Sequence, residues 1–329
     1  MYRLKSLLPA SLFLWALWFT GCDNKDELTK SVNIYVVGYE SNVAKLWING
    51  VAQNLTAGTY NAVANSVYVS GKDVYVAGYE YNAQDYPVAK LWKNGIAQNL
   101  TDETSWGFAN SVFVFGKDVY VAGQENAIAK LWKNGVAQNL SDGTYWMEAN
   151  SVFVSAGDVY VTGDGMLWKN GKALNLSDGT SWLFPNSVFV SGKDVYLAGW
   201  DIVGQNGRIA KVWKNGVIQN LTAGTYNAVA VATSIYISDG NVYIVGYENN
   251  KEKIQVAKVW KNGVAQNLTD GTRRAEANSV FVFNDDVYIA GYENNTRYCS
   301  VAKVWKNGKA QNLTDGTRWA RATSVFITK

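Results

Sequence analysis

The sequence predicts an all-β protein, a seven-bladed β-propeller with four antiparallel strands in each blade. Three observations predict it. The motif Trp-x-Asn-Gly occurs seven times at intervals of 36 to 47 residues, a spacing typical of propeller blades or solenoid coils. Each interval contains four short apolar runs separated by turn residues. The two ends of the array complement each other, since the first unit lacks a first strand and the chain ends on one.

The four strands can be read in the unit that starts at Ser279: "SVFV", "DVYIAGYE", "VAKVWK" and "VAQNL". The pair Asn262-Gly263, between the third and fourth strands of the preceding unit, predicts a type I′ hairpin turn. In "DVYVAG" both faces of the strand are apolar, which indicates a sheet covered on both sides, as in blades packed against each other. The polar residues of "VAQNL" indicate a half-exposed outer strand.

Two features are repeated in every unit and are therefore predicted to be structural. The motif tryptophan is expected to form the core between blades; it is Trp47, Trp92, Trp132, Trp168, Trp213, Trp260 and Trp305. The sequence Asn-Leu-Thr or Asn-Leu-Ser also occurs seven times. It has the pattern of a glycosylation acceptor, but we interpret it as a hydrogen-bonding device at the end of the fourth strand.

Ring closure explains both ends of the array. The first unit begins at Ser31 with a second strand, "SVNIYVVGYE", and the chain finishes at Ser324 with a first strand, "SVFITK". The C-terminal strand is expected to complete the N-terminal blade, with Val325, Phe326 and Ile327 buried as the innermost strand. Closure removes exposed strand edges, whereas an open solenoid would need capping units.

These repeats resemble those of bacterial β-propeller lipoproteins of the kind found on the surface of the Bacteroidota, and more loosely NHL-type blades with their "VYVA"-like second strand. The resemblance covers Ser31 to Lys329. It implies the fold, and it is a poor guide to function because propellers host many unrelated activities.

The N-terminus predicts export and lipid attachment. Arg3 and Lys5 precede an apolar run from Leu7 to Phe19, too short for a membrane span and typical of a secretory signal. The stretch Phe19-Thr20-Gly21-Cys22 resembles a bacterial lipobox, with Phe19 departing from the usual Leu. The expected organisation is a signal peptide at 1–21, a lipidated Cys22 with an acidic tether at 22–30, and the propeller at 31–329.

This resemblance implies a fatty-acyl (palmitate) anchor on Cys22 and a place in the bacterial cell envelope, at the outer membrane. An ordinary secretory signal with an incidental cysteine stays open. The acidic residues after Lys25 resemble the export tag of surface-exposed lipoproteins in the Bacteroidota, with a solvated tether as the alternative.

Composition excludes several classes of function. The chain contains no histidine, which removes Ser-His and Cys-His nucleophile pairs and imidazole metal sites. The net charge of +3 falls to +1 when Arg3 and Lys5 leave with the signal, and no basic stripe remains for nucleic acid. Cys299 has no partner if Cys22 is acylated, so no disulfide framework is expected. We expect no cofactor and no metal.

Sequence variation is concentrated in two of the four connections of each unit. In propellers of this strand order the tight "SGKD" and "KNG" turns share one face, here called the short-turn face. The longer connections share the other, the long-loop face, where function is expected. Two columns of the fourth-to-first connections should approach the mouth of the central channel. The first column is Asn61, Trp106, Trp146, Trp182, Asn227, Arg274 and Trp319. The second column is Val63, Phe108, Glu148, Phe184, Val229, Glu276 and Arg321.

From these columns we predict a ligand-binding site formed by Trp106, Trp146, Trp182, Trp319, Arg274, Arg321, Glu148 and Glu276. Aromatic and charged side chains around a concave mouth suit a sugar face or a peptide. The alternative, that the tryptophans wedge between blades and the charges are solvated, stays open. The fourth blade has the shortest connection, Asp164-Gly165, and should leave a notch beside Trp146 and Trp182.

The sequence therefore predicts a non-catalytic, lipid-anchored binding or scaffold module with a glycan or a protein as partner. Two alternatives remain. A surface glycosidase could use Glu148 and Glu276 as its two carboxylates, although their blades are not neighbours. A purely structural envelope protein would have a featureless long-loop face.

Overall fold

The computed structural model describes residues 32–176, 183–204, 207–223 and 229–329. Val32–Lys329 form one compact unit. The predicted signal peptide, the lipidation site Cys22 and the tether lie outside the described residues, as do Trp182 and Asn227. Within the part of the chain that the structure describes, no helix is long and apolar enough to cross a bilayer.

Within these described ranges, twenty-eight strands form seven four-stranded antiparallel sheets, each of which is one blade. Blade 1 contains β1 (Asn33–Glu40), β2 (Val43–Ile48), β3 (Val51–Asn54) and the C-terminal β28 (Ala320–Thr328). Blade 2 contains β4 (Ala62–Ser70), β5 (Asp73–Tyr81), β6 (Pro87–Lys93) and β7 (Ile96–Asn99). Blade 3 contains β8 (Gly107–Phe115), β9 (Asp118–Glu125), β10 (Ile128–Lys133) and β11 (Val136–Asn139).

Blade 4 contains β12 (Ser151–Ser155), β13 (Asp158–Gly163), β14 (Met166–Lys169) and β15 (Lys172–Asn175). Blade 5 contains β16 (Leu183–Ser191), β17 (Asp194–Val203), β18 (Gly207–Lys214) and β19 (Val217–Asn220). Blade 6 contains β20 (Ala230–Ser238), β21 (Asn241–Asn249), β22 (Gln255–Lys261) and β23 (Val264–Asn267). Blade 7 contains β24 (Ala275–Phe283), β25 (Asp286–Asn294), β26 (Ser300–Lys306) and β27 (Lys309–Asn312).

The predicted seven-bladed fold and its closure are confirmed. Strand β28 pairs antiparallel with β1 from Asn33↔Thr328 to Glu40↔Ala320, in the sheet order β28-β1-β2-β3. Val325 and Ile327 are buried as predicted. The expectation of full burial is wrong for Phe326, which is half-buried because alternate residues of an innermost strand face the channel.

The core consists of seven apolar clusters, one at each junction between neighbouring blades. Each cluster contains one motif tryptophan, and all seven of these side chains are at most 1% exposed. Trp260 of blade 6, for example, packs with Tyr196 and Ala198 of blade 5. The interpretation of this tryptophan as inter-blade core is therefore correct.

The repeated polar motifs also have the predicted structural roles. Asn262 and Gly263 both have positive φ, 51° and 82°, as a type I′ turn requires. In five blades the Asn-Leu-Thr or Asn-Leu-Ser hydroxyl accepts a hydrogen bond from the third strand, as Thr56 Oγ1 does from the Ala44 N–H at 3.2 Å. Thr269 Oγ1 of blade 6 has no such partner. The outer strands are more exposed than expected, since all four residues of β23 are exposed.

Three sevenfold rings of contacts surround the channel and connect every blade to the next. A side chain at the inner-strand bulge donates a hydrogen bond to a carbonyl of the next inner strand at 2.6–3.3 Å; the donors are Asn65, Asn110, Asn150, Asn186, Thr233, Asn278 and Thr323. The next residue along, a serine, accepts a backbone N–H of a neighbouring blade at 3.2–3.3 Å.

The third ring is aromatic. Neighbouring rings lie with centroids 4.7–4.9 Å apart, and the series closes on itself through Tyr68, Phe113, Phe153, Phe189, Tyr236, Phe281 and Phe326. A regular heptagon with this side places the centroids about 5.5 Å from the axis, so the rings leave a narrow passage. We call this ring the aromatic collar. It separates the channel mouth on the long-loop face from the short-turn face.

Candidate functional site

The channel mouth on the long-loop face is lined by the second predicted column, at the start of the inner strands. Glu276 in β24 pairs with Tyr292 in β25, and Arg321 in β28 pairs with Tyr39 in β1. Six blades thus contribute one residue from the first strand and one from the second to the mouth. In blade 4 the two residues are Glu148, which precedes β12, and Asp164, which follows β13. The aromatic collar lies further along the same inner strands, since Phe281 follows Glu276 in β24 and pairs with Tyr288.

Sequence reasoning missed the second-strand ring. Its members are Tyr39, Tyr79, Gln124, Asp164, Trp200, Tyr247 and Tyr292. Each follows the glycine of the repeated "VAG"-type sequence. That glycine is required, because a Cβ on Gly291 would overlap the carbonyl oxygen of Glu276, and one on Gly163 would overlap that of Glu148. The sequence did contain a signal for this ring: in every repeat a variable position follows directly after an obligatory glycine.

The acidic sector of the mouth belongs to blade 4. Glu148 Oε1 accepts hydrogen bonds from Trp146 Nε1 at 3.1 Å and from Gln124 Nε2 at 3.2 Å. The backbone N–H of Glu148 donates to Asp164 Oδ2 at 2.7 Å. Burial raises the pKa of the Glu148 carboxyl, which the Trp146 hydrogen bond opposes and the charge of Asp164 reinforces. Burial likewise raises the pKa of Asp164.

The opposite sector, in blades 7 and 1, is cationic and aromatic. Arg274 Nη2 lies 2.9 Å from Glu276 Oε1. The Arg321 guanidinium stacks over the Tyr292 ring at 4.2 Å. Burial raises the pKa of Tyr292, and the nearby Glu276 raises it further, so this phenol remains a hydrogen-bond donor at neutral pH.

A second arginine–aromatic pair, which sequence reasoning also missed, is contributed by blade 5. Arg208 lies over the Trp200 ring at 4.4 Å, and Trp200 stacks on Phe184 at 4.1 Å with an interplanar angle of 11°. Between blades 2 and 3, Tyr79 contacts Phe108 edge-on at 4.8 Å. Burial raises the pKa of Tyr79 to about 12. The mouth therefore combines aromatic rings with the carboxylates of blade 4 and with arginines of blades 5, 7 and 1.

The first-column tryptophans that the structure describes are exposed, in contrast to those of the repeated motif. Trp106, Trp146 and Trp319 are 45%, 60% and 55% exposed. This removes the alternative that these three are wedged between blades. Trp146 and Arg274 each contact the second-column residue of their own strand. The eight predicted residues, apart from Trp182, thus belong to one face, at the start of four different inner strands.

The alignment of the two columns was wrong in blade 6. The Val229 carbonyl accepts the Asn249 N–H, just as the Arg274 carbonyl accepts the Asn294 N–H in blade 7. Val229 therefore occupies the first column instead of Asn227, and Val231, which pairs with Tyr247, occupies the second. The connection to blade 6 has two extra residues, and the sequence columns had placed them inside the strand.

The short second-to-third connection predicted for blade 4 is confirmed. Asp164 and Gly165 form a two-residue connection between β13 and β14, both with positive φ. Six other blades have a lysine–carboxylate pair across their second and third strands, as in Lys130–Glu125 at 2.7 Å; blade 4 has Met166 instead. Within the described residues, no three His, Cys, Asp or Glu side chains cluster in a way that could hold a metal ion.

No protein-family model matches this chain, and no curated protein matches it. The chain is similar in structure to known propellers. It resembles the β-propeller domain of the Trilobed protease from Pyrococcus furiosus, described as having an open velcro topology, with 13% identity and a TM-score of 0.49, covering 87% of this chain and 95% of that one.

Two further similarities are weaker. A chain of the nidogen/laminin complex is 9% identical with a TM-score of 0.46, over 73% of this chain and 92% of that one. A puromycin-hydrolyzing peptidase of Mycobacterium tuberculosis is 9% identical with a TM-score of 0.46, over 76% of this chain and 53% of that one. At such identities no function is transferred from any of them.

Proposed function

We propose that this protein is a lipid-anchored binding or scaffold module of the bacterial envelope, which uses the channel mouth on its long-loop face to bind a glycan or a peptide segment of a protein. The mouth offers aromatic surfaces for stacking and charged groups for orientation. The described part of the mouth has no basic stripe of the kind that binds nucleic acid. Its arginines, Arg208, Arg274 and Arg321, are accompanied by three carboxylates, which belong to Glu148, Asp164 and Glu276.

One observation carries this proposal: the chain uses tryptophan in two opposite ways. The seven motif tryptophans are buried between blades, whereas Trp106, Trp146 and Trp319 are 45–60% exposed on one face. Exposed tryptophans anchored by short loops lose little entropy on binding and commonly dominate interface energetics. Trp146 is further held in place by its hydrogen bond to Glu148.

The test is a glycan and peptide array probed with the full chain in detergent, followed by titration of the best ligand. Trp146→Ala is expected to lower affinity by about 1–3 kcal/mol, or roughly 5- to 150-fold in Kd, with little change in stability. Trp260→Ala is the matched control in the core. It should lower stability by roughly 3–5 kcal/mol through a cavity and leave the affinity of the folded fraction unchanged.

The outcome that contradicts the proposal is the reverse pattern. If Trp146→Ala destabilises the chain as much as Trp260→Ala and binding is unaffected, the exposed column has a packing role. An array without any bound glycan or peptide would favour the structural-protein alternative.

Lipid anchoring is a separate part of the proposal and depends on Cys22. Metabolic labelling with a radioactive or alkyne fatty acid should mark the parent chain and not the Cys22→Ser variant, which should accumulate unprocessed or soluble. A single myristoyl-like chain gives only marginal binding, so stable attachment implies more than one acyl chain. Equal labelling of both proteins would refute lipidation at this residue.

One observation favours the glycosidase alternative: a second half-buried carboxyl, that of Asp164, lies beside Glu148. Asp164 and Glu148 both have raised pKa values, as a general acid requires. The Glu148 carboxylate, however, already accepts hydrogen bonds from Trp146 and Gln124. Turnover of any glycan by the parent chain that is abolished in Glu148→Gln would favour the enzyme over the binding module.

A further inference from the structure

The short-turn face has an excess of positive charge. Its turns, all of which lie within the described ranges, contain together with the strand residues that flank them eleven lysines and seven aspartates, a net charge of +4. Five of these lysines pair with the aspartate that begins the second strand of their own blade, as Lys93 does with Asp73 at 2.8 Å. The other six form no ion pair with any of the described residues; they are Lys72, Lys117, Lys172, Lys193, Lys261 and Lys309.

Apolar side chains stand at the rim of the same face. The residue directly after the Asn-Gly turn is a lysine in blades 4 and 7 and is apolar in the other five, where it is Val51, Ile96, Val136, Val217 and Val264. These five side chains are 68–77% exposed. In four of the five blades the residue pairs across the turn with a lysine, as Val264 does with Lys261. Single exposed apolar residues are ordinary on a protein surface, but five at equivalent positions on one face indicate an interaction surface.

The polypeptide enters the propeller on the short-turn face. Strand β1 starts at Asn33, whose Oδ1 accepts a hydrogen bond from Asn49 Nδ2 of the first Asn-Gly turn at 3.1 Å. The Ile34 N–H donates to Asn49 Oδ1 at 2.8 Å. Residues 22–31, which separate the proposed acylation site from the first described residue, can span at most about 35 Å. An acyl chain on Cys22 would therefore keep a bilayer within that distance of the start of β1.

We infer that the short-turn face docks on the surface of an anionic phospholipid bilayer. The inference rests on the lipid anchoring in the proposed function and deepens it, because it assigns the face that meets the membrane. The six lysines without a carboxylate partner contact the lipid phosphates, and the exposed Val and Ile side chains insert at the boundary between headgroups and acyl chains. The channel mouth, on the opposite face of the ring, then opens away from the bilayer, where a ligand can reach it.

Two other occupants fit the short-turn face less well. A second copy of the same face would bring two surfaces of net charge +4 together, which is repulsive. Nucleic acid is bound by arginine and lysine together with stacking aromatic rings, whereas the exposed residues beside these lysines are aliphatic. A bilayer suits both features, since stable attachment by acyl chains is commonly completed by a basic patch.

The experiment reconstitutes the full chain into vesicles and measures the depth of a fluorescent label with nitroxide-bearing lipids, which quench it on contact. Val264→Cys places a nitrobenzoxadiazole label on the short-turn face. Tyr145→Cys is the matched position on the long-loop face, where the tyrosine is 78% exposed. Cys299 is buried, and the parent chain gives the labelling background. The label at 264 should be quenched strongly in vesicles of phosphatidylcholine with phosphatidylglycerol and weakly in phosphatidylcholine alone, and the label at 145 in neither.

Charge reversal tests the lysines. The double variant Lys172→Glu with Lys309→Glu brings the net charge of the face from +4 to zero and alters two exposed side chains without ion pairs to described residues. Each lysine at an anionic surface changes the docking equilibrium roughly fivefold, so this variant should lose the quenching at position 264. Lys251→Glu with Lys253→Glu is the matched control, since both lysines are exposed in a long-loop connection. Its label should be quenched as in the parent.

Three outcomes would overturn the inference: equal quenching at positions 264 and 145, equal quenching in anionic and neutral vesicles, or quenching that the Lys172 and Lys309 reversals leave unchanged. A fluorescence change at position 264 that grows with protein concentration in the absence of vesicles would assign the face to a second copy instead.

The inference and the proposed function fail separately. If fatty acid labels Cys22 and the label at 264 is not quenched, docking of the face alone is refuted. If the label at 264 is quenched in anionic vesicles and no fatty acid is found on Cys22, lipid anchoring alone is refuted. The outcome of Trp146→Ala bears only on the mouth.

Discussion

Glu148 has a charge that its surroundings disfavour. Its carboxylate is half-buried, and burial together with Asp164 raises its pKa. A carboxyl whose pKa is higher in the folded than in the unfolded state binds more protons when folded. Stability at this residue is therefore greatest at low pH and falls as pH rises through the ordinary carboxyl pKa and the raised one.

Glu148→Gln should therefore raise the melting temperature at pH 7 and leave it nearly unchanged near pH 4. The amide oxygen of glutamine can still accept from Trp146 Nε1 and Gln124 Nε2, so the hydrogen bonds to the neighbours are retained. Thermal unfolding followed at several pH values provides the measurement. A glutamine variant that is less stable at pH 7 would mean that the charge itself supports the mouth.

The residues that could be assigned from sequence were those repeated in every unit. The motif tryptophan and the turn residues Asn262 and Gly263 recur because geometry demands them, so repetition alone identified their structural role. Residues of the mouth, in contrast, differ from one unit to the next. Glu148 was visible as a change within a column. Asp164 was interpreted only as part of a short turn, and its contact with Glu148 depends on how that turn lies against the residues before β12.

At the scale of the element, β28 is the strand on which closure depends. It buries Val325 and Ile327 and contributes Phe326 to the aromatic collar. Each fully buried apolar side chain contributes about 1.5–3 kcal/mol, and a typical domain is stable by only about 5–15 kcal/mol. The strand is also hydrogen-bonded to both neighbouring blades. Thr323 donates to the Ala64 carbonyl of blade 2, and the Val325 N–H donates to Ser279 Oγ of blade 7.

Deletion of Ser324–Lys329 should thus lower the melting temperature sharply and promote aggregation, because it exposes the edge of β1. Differential scanning calorimetry and light scattering of the truncated chain measure the two effects. The conservative comparison is removal of Lys329 alone, which lies after the last strand residue. An unchanged melting curve on the longer deletion would show that the β28–β1 pairing contributes little.

Strand order and closure could be predicted from the sequence, because the first unit lacks a first strand and the chain ends with one that completes it. The alignment of blade 6 could not be predicted. Two extra residues in a connection can be placed at several positions by eye, and only the hydrogen bond from Asn249 to the Val229 carbonyl located them before the strand.

At the scale of the whole molecule, the two faces of the ring differ in kind. The short-turn face repeats one arrangement, in which an asparagine of the hairpin turn bonds to the start of the second strand, as Asn94 does to Val74 and Asp73. The long-loop face has an acidic sector at blade 4, a cationic and aromatic sector at blades 7 and 1, and a cavity of about 370 Å³ between blades 6 and 7. Uniform contacts on one face thus leave the opposite face free to vary.

The closing contact also bears on how the ring is made. Within each of blades 2 to 7 the strands pair with their neighbours in sequence, so these sheets can form as the chain emerges. Blade 1 cannot, because Thr323 reaches the Val37 carbonyl across 286 residues of chain. Long-range pairing is slow since the loop entropy is lost before the contact is gained. The first blade to be synthesised is therefore the last to be completed, and until then its inner edge is exposed to other chains.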